Sequence, residues 1–475
     1  MESEQPLIEC INAYITTKAT RFDTPGHKAG RGLPDATRRL LALGGAVDMT
    51  LPDEAKAWSD GYVYEAEQLA AHLWGAKRSY FCYNGTTAAI QAMLLATLNP
   101  GDRVLVAANC HRSVIAGLIL CGAMPVFLKT NYHSDLQLDL NATVPEISQA
   151  LIDHPDCRAV FITNPTYYGV GCDLRSIAKI VHSYGIPLLV DEAHGAHWRF
   201  SDDLSADAIA CGADVVAQST HKMLNSLSQT SMLHVNSVIV DSEKIGSVLK
   251  MLQSSSPNYL LVASLDATRA DMEQNGGALL KRTMALAKAA RQNIAELPVI
   301  CYNNKLISDN GGYSLDESKL VIDFSALGYS GTEIFKKLVA EEIMPEMCDR
   351  RNVLFHITIG DDERSVAKLL AGLRAVCSDV RKSPTIGSNC IPPQMMALVS
   401  PRQAFFAKHE SVGVDCALGR LSARTECFYP PGIPFVFPGV EIDELVLDYI
   451  KNMEAAGLVA EGHDDKIKQL EVLAL

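Results

Sequence analysis

The sequence predicts an α/β protein, with a large domain on a mostly parallel sheet followed by a smaller α+β domain. Three observations predict it. Short apolar runs recur through the first half of the chain, several of them separated by helical stretches, which is the pattern of strands covered by helices. Two of the runs, Pro187-Leu-Leu-Val-Asp-Glu-Ala-His194 and Val215-Val-Ala-Gln-Ser-Thr-His-Lys222, end in polar residues. In an open α/β sheet, such carboxyl ends are where ligands sit. After Leu265 a long helical stretch, through Arg282–Leu297, leads to a region that mixes strands with helices.

Taken in order, the chain opens on a short amphipathic helix, Leu7 to Thr17. A Gly/Pro-rich loop, Asp23-Thr-Pro-Gly-His-Lys-Ala-Gly30, follows it. Residues 1–45 therefore read as an N-terminal arm. Glu65–Trp74 is predicted helical, Ser79–Tyr83 a strand and Thr86–Leu98 a helix. Further strands are predicted at Arg103–Ala107, Met124–Leu128, Ala159–Thr163, Pro187–Val190, Asp214–Ala217 and Ser231–Val235, with Leu174–Tyr184 among the intervening helices. These elements define a large domain over residues 46–300. Residues 301–475 carry predicted strands at Lys319–Phe324 and Val353–Ile359 and helices at Thr332–Glu341 and Ser365–Val376. A Pro-, Gly- and Ser-containing segment near Lys382–Pro393 reads as an internal linker.

Composition narrows the function. The 475 residues are 48% hydrophobic and 20% charged, which suits a globular chain with ample core. A formal charge of −13 argues against a nucleic-acid partner, which needs a basic face. The 13 cysteines form no C-x-x-C pair, and Cys82, Cys110, Cys121 and Cys211 sit in apolar stretches. Neither a disulfide framework nor a metal site is expected. Met1-Glu-Ser-Glu-Gln lacks the pattern of a signal peptide, and no apolar run reaches membrane-spanning length. The expectation is a cytoplasmic protein.

Asp191 and Lys222 are expected to project into one crevice from two strand ends. That pair is what pyridoxal 5'-phosphate requires: a lysine to form the Schiff base, and an acid to keep the ring nitrogen protonated so that the ring acts as an electron sink. Taken singly, Asp191 reads more readily as a turn cap and Lys222 as a surface lysine. Tyr83-Asn-Gly-Thr-Thr-Ala88 joins a strand to a helix. Gly85 allows a tight turn there, and Thr86 and Thr87 at the helix start add hydroxyls to N–H groups that favour a phosphate. Ser219 and His221 are candidate further phosphate donors. His111, after another strand, is a candidate to stack on the cofactor ring or a structural histidine. Ala193 is small enough to press on the other ring face. His194 could bond the cofactor's phenolic oxygen, the substrate carboxylate or the backbone.

These pieces resemble the Orn/Lys/Arg decarboxylases of PLP fold type I, in the short form without a wing domain. The resemblance rests on Thr24-Pro-Gly-His-Lys-Ala-Gly30, Asn84-Gly-Thr-Thr87, Asn109-Cys-His111, Asn164-Pro-Thr-Tyr-Tyr-Gly169, Asp191-Glu-Ala-His-Gly-Ala-His197 and Gln218-Ser-Thr-His-Lys222. Ser254-Ser-Ser-Pro-Asn-Tyr-Leu260, Ala263-Ser-Leu-Asp266 and Tyr429-Pro-Pro-Gly-Ile-Pro434 extend it over nearly the whole chain. It implies Lys222 as the Schiff-base lysine, Asp191 as the pyridinium partner and His111 as the stacking residue. Thr86, Thr87, Ser219 and His221 would hold the phosphate. Ser254 and Ser255 would reach the phosphate of a neighbouring subunit, which implies a homodimer or larger homo-oligomer with a shared site.

The implied reaction is decarboxylation of a basic amino acid to an amine, arginine ahead of lysine and ornithine, as in polyamine biosynthesis. His221 or Lys222 would return the proton. Three departures from the family pattern add weight to an alternative, kept second. Where the family carries an acidic stretch resembling Gly-Leu-Asp-Asp-Leu after its Asp-x-Thr element, this chain has the shorter, differently composed Asp48-Met-Thr-Leu-Pro-Asp-Glu-Ala-Lys-Ala-Trp58. Gly419-Arg-Leu-Ser-Ala-Arg424 has Arg424 where the family carries an acid. Pro438-Gly-Val440 delays Glu441 by one position. The alternative is an aminotransferase, oxidase, eliminase or cyclase acting on an arginine-like amino acid. A non-catalytic regulatory relative fits less well, because Asp191 and Lys222 are both retained.

Overall fold

The computed structural model describes residues 6–17, 19–48, 61–129, 131–381, 390–428 and 432–474. The seven predicted apolar runs of the large domain become one seven-stranded sheet: β1 (Arg78–Cys82), β2 (Arg103–Ala107), β3 (Met124–Leu128), β4 (Cys157–Thr163), β5 (Leu188–Asp191), β6 (Val215–Gln218) and β7 (Ser231–Val235). Their order is β1-β7-β6-β5-β4-β2-β3. The pairs from β6 to β3 are parallel. β7 runs antiparallel to both of its neighbours.

Period-2 alternation along the strands feeds two cores. Val104, Val106, Phe161, Leu189 and Val215 face one of them. Leu105, Val160, Ile162, Leu188, Val190 and Val216 face the other. Asp191 pairs in register with Thr163 on one side and Ala217 on the other, so β4, β5 and β6 end at one edge.

A helix of 36 residues, Tyr259–Ile294, leads out of this domain. At 1.5 Å per residue it spans about 54 Å. It buries Val262, Leu265, Met272 and Leu280 in the large domain. Farther along, Leu286, Ala287, Ala290 and Ile294 join a separate core. That core covers a second, antiparallel sheet of β8 (Ile300–Cys301), β9 (Lys319–Asp323), β10 (Met347–Cys348) and β11 (Asn352–His356), in the order β8-β9-β11-β10.

Residues beyond 390 pack elsewhere. Phe435, Phe437, Val446, Ile450 and Val472 lie against Met93, Val114 and Leu118 of the large domain. Most of the expected linker, residues 382–389, lies outside the described residues, as does most of the stretch after Asp48.

The arm ties the two sheets together. Thr20 and Arg21 pair in parallel with Ile343 and Met344. The Gly26 N–H donates to the His221 carbonyl at 2.8 Å. Gly26 is required by close approach, since an added Cβ would stand 2.3 Å from the Leu224 carbonyl oxygen and 2.9 Å from that of Lys222. Gly26→Ala is therefore expected to cost about 3 kcal/mol through overpacking, seen as a lower midpoint in thermal unfolding. An unchanged midpoint would show that the arm yields there.

Candidate active site

A cavity of about 440 Å³ opens at the carboxyl edge of β4, β5 and β6. Gly85, Thr86, Thr87, His111, Asp191, Ala193, His194, Ser219, His221 and Lys222 all line it. Ser254 and Ser255 do not. They are exposed, and the Ser254 carbonyl accepts from the Tyr83 hydroxyl at 2.8 Å. Lys222 does not end a strand, although the sequence predicts that it does. β6 stops at Gln218, and Lys222 stands in a one-turn helix, Thr220–Met223, beyond the strand end. The apolar pattern ends at Ala217, so the polar tail is free to coil.

One end of the cavity, where a phosphate is expected, is built by the turn at Gly85, whose φ of +77° is the left-handed region that glycine favours. The helix Gly85–Thr97 starts there with no side-chain cap, so its first N–H groups remain available. Beside them Thr86 Oγ1 lies 2.5 Å from Ser219 Oγ and donates to Ser231 Oγ at 2.9 Å. Three hydroxyls thus meet at an uncapped helix start. His221 lines the same cavity, but its Nδ1 is 2.7 Å from the Thr230 carbonyl and must donate to it. Burial pushes its pKa down to about 4. As a neutral ring it has only a bare Nε2 left, an acceptor where the sequence reading expected a donor.

Asp191 is 3% exposed, and its Oδ1 accepts from the Ala193 N–H at 3.0 Å. Burial raises its pKa, while Lys222 and the Ala193 N–H oppose the shift. A cationic ring nitrogen is the partner such a buried acid lacks. His111 serves two ends at once. It caps the helix Arg112–Cys121, its Nδ1 accepting from the Ser113 N–H at 3.2 Å. Burial, Lys222 and Arg112 together push its pKa down to about 3, which keeps the ring neutral at the cavity wall. Uncapped helix start, hydroxyl cluster, buried acid and amine together fit pyridoxal phosphate.

Sequence reasoning missed much of the opposite wall. Asp23, Asp139, Tyr167 and Glu346 line the cavity as well. Glu346 accepts from the Tyr167 hydroxyl at 2.5 Å and from the Thr24 N–H at 2.7 Å. The buried Oδ1 of Asp23 has no hydrogen-bond partner among the described residues. Tyr167 lay in a noted motif without a role. Glu346 carried no local signal, being brought in by the second sheet. Arg424 does not line this cavity. It is exposed, its guanidinium 5.6 Å from the Phe405 ring.

The sheet order, the lysine turn and the smaller second domain define a protein of PLP fold type I. Solved structures agree. The Francisella novicida lysine decarboxylase matches with a TM-score of 0.76 at 21% identity, over 99% of this chain and 81% of its own. The L-threonine transaldolase of Pseudomonas fluorescens, solved in its internal aldimine state, matches with 0.59 at 15% identity, over 78% of this chain and 87% of its own. The chain belongs to the Orn/Lys/Arg decarboxylase family: the major-domain profile matches residues 5–365 and the C-terminal profile residues 388–472. Among relatives, arginine decarboxylases of Bacillus subtilis and Bacillus anthracis are 32% and 33% identical, each over 98% of this chain and 96% of their own.

Proposed function

We propose that the protein is a pyridoxal-phosphate-dependent decarboxylase of a basic amino acid, arginine ahead of lysine and ornithine. The observation that carries the substrate class is the acidic wall. Asp23, Asp139 and Glu346 face the same cavity as Lys222 and Asp191, and carboxylates there favour a cationic side chain. The acids that the sequence lost elsewhere are thus answered by acids that the fold brings in. Arg424, the cation in a family acid's place, does not line this cavity.

In this reading Thr86, Thr87, Ser219 and the first turn of Gly85–Thr97 bind the cofactor phosphate. His111 and Ala193 flank the ring, and Asp191 holds a proton on the ring nitrogen. Pyridoxal phosphate, when bound, supplies the electron sink that takes up the electron pair left by carbon dioxide. Lys222 yields its place to the substrate amine and then stands ready to return a proton to the substrate α-carbon. Because His221 has no N–H to give, that task falls to Lys222 rather than to His221.

Asp23→Asn and Glu346→Gln are expected to raise KM for arginine about tenfold each, a loss of about 1.4 kcal/mol. Product analysis with arginine, lysine and ornithine checks the reaction. A 2-oxo acid, peroxide or cyclised product in place of an amine would reject it.

Family resemblance also supports a homodimer with a shared site, in which Ser254 and Ser255 reach across. Lys222→Ala and a Ser254/Ser255 double alanine, each shown to be inactive, are expected to regain activity when refolded together. No recovery in mixed dimers would mean that each site is built from one chain. The compartment we infer is the cytoplasm, supported by 13 cysteines scattered along the sequence with no paired spacing.

A further inference from the structure

One buried amine takes no part in the steps above. Lys319 begins β9 in the second sheet and is fully buried. Its Nζ reaches three partners: Nδ1 of His194 at 2.9 Å, Nε2 of His356 at 3.1 Å and the Tyr167 carbonyl oxygen at 3.1 Å. The other ring nitrogen of His194, Nε2, lies 2.9 Å from Nζ of Lys222. One imidazole therefore bridges two lysine amines.

That bridge constrains the protons. Burial, with Lys222 and Lys319 adding to it, holds the His194 pKa well below the usual histidine range, so the ring is neutral. A neutral imidazole has one N–H and one bare nitrogen. It can accept from only one ammonium, and its own N–H then needs the lone pair of the other amine. A proton on both amines would leave one donor facing another across the ring, at a cost of about one hydrogen bond.

Which amine keeps the proton follows from the acceptors available. An ammonium has three N–H groups. At Lys319 each finds an acceptor, and one of these, the Tyr167 carbonyl, can do nothing but accept. For His356 to accept at Nε2, its proton must sit on Nδ1, which has no hydrogen-bond partner among the described residues but lies 3.7 Å from the Glu346 carboxylate, whose charge favours a proton there. Lys222 Nζ has the His194 contact as its one hydrogen bond among the described residues. Around Lys222, Asp191 and Glu346 favour its charge against burial. Around Lys319, Asp316 and Glu346 favour charge, while Lys222 and Lys28 oppose it.

We propose that Lys319 is a positioning residue that holds the proton shared by the two amines. Its ammonium fixes His194 with hydrogen on Nε2, aimed at Lys222, and so keeps the Lys222 amine unprotonated and nucleophilic. The proposal rests on Lys222 being the cofactor lysine but not on which reaction follows. Burial, with Lys222 and Lys28 adding to it, pushes the Lys319 pKa down to about 7, while Asp316 and Glu346 work to keep its charge.

The test uses apoprotein and needs no turnover. Reductive methylation with formaldehyde, pulsed across pH and read as the modified Lys222 peptide by mass spectrometry, reports the Lys222 titration. Lys319→Met is expected to raise the apparent pKa of Lys222 by at least one unit and slow its modification at pH 7 about tenfold. Lys319→Gln keeps an N–H for His194 without the charge and is expected to fall between. In a His194→Ala background, Lys319→Met is expected to change the rate less than twofold. A native-like melt with no shift in Lys222 would overturn the proposal, and so would the same shift without His194. Should Lys319→Met not fold, ¹⁵N spectra of histidine in the unaltered apoprotein decide: hydrogen on Nδ1 of His194 rejects the idea. Failure of the decarboxylase reading would appear in product analysis and leave these titrations untouched.

Discussion

Borohydride reduction of the cofactor-loaded protein is expected to fix the cofactor to Lys222 and to no other lysine, and Lys222→Ala is expected to lower turnover at least about 10³-fold. The competing amine is Lys319, since His194 touches both. Two features separate them. Lys222 lines the cavity, whereas Lys319 lies behind the His194 ring, fully buried, with three partners for its three donors. An amine so occupied would have to give up its hydrogen bonds and displace His194 before it could react. Lys222 gives up one contact. Peptide mapping checks this, and label on the Lys319 peptide would exchange the two roles and undo the assignment. The Ala variant should remain folded, because the Lys222 side chain is only partly buried and its N–H bonds the Ser219 carbonyl through the backbone.

Asp191→Asn is the second large effect. The variant is expected to bind the cofactor, because the phosphate groups and His111 are untouched, yet to lose about 10²- to 10³-fold in kcat, or about 3–4 kcal/mol of barrier. Asp191 contributes through its charge. A buried carboxylate holds a proton on a ring nitrogen, whereas an amide of the same shape does not. Its pKa is already raised by burial, so it needs a cation opposite to remain ionised. The Ala193 N–H that bonds Oδ1 would find an amide oxygen in its place, so the fold around β5 should hold. Cofactor affinity by equilibrium titration and kcat measured side by side give the answer. Activity within a few-fold of the parent would show that ring protonation comes from elsewhere.

The large domain was legible because its signals are local. Seven apolar runs, each able to be buried on both faces, gave the strands to within a residue or two, and the pattern at Leu265–Leu297 gave the long helix. Asp191, Lys222, Thr86 and Ser219 were legible for a different reason. They sit at strand ends and helix starts, where an α/β sheet opens its crevice. Lys222 was misplaced by one turn because a polar tail after a strand does not announce whether it extends or coils. His221 was read as a donor because a sequence cannot show which ring nitrogen a carbonyl such as that of Thr230 will claim.

The sequence by itself determined the α/β class, the strand runs, the meeting of Asp191 and Lys222 in one crevice and the family. Each of these depends on residue type and spacing along one stretch of chain. Only the tertiary structure decided the acidic wall and the bridged amines. Glu346 and Lys319 come from the second sheet, Asp23 from the arm and Tyr167 from the loop after β4, and nothing in the spacing of these residues brings them together. Their meeting depends on how the two sheets pack, and so does their chemistry. Charge and tautomer are set by burial and by the partner across the gap, quantities that exist only once the chain has closed around them.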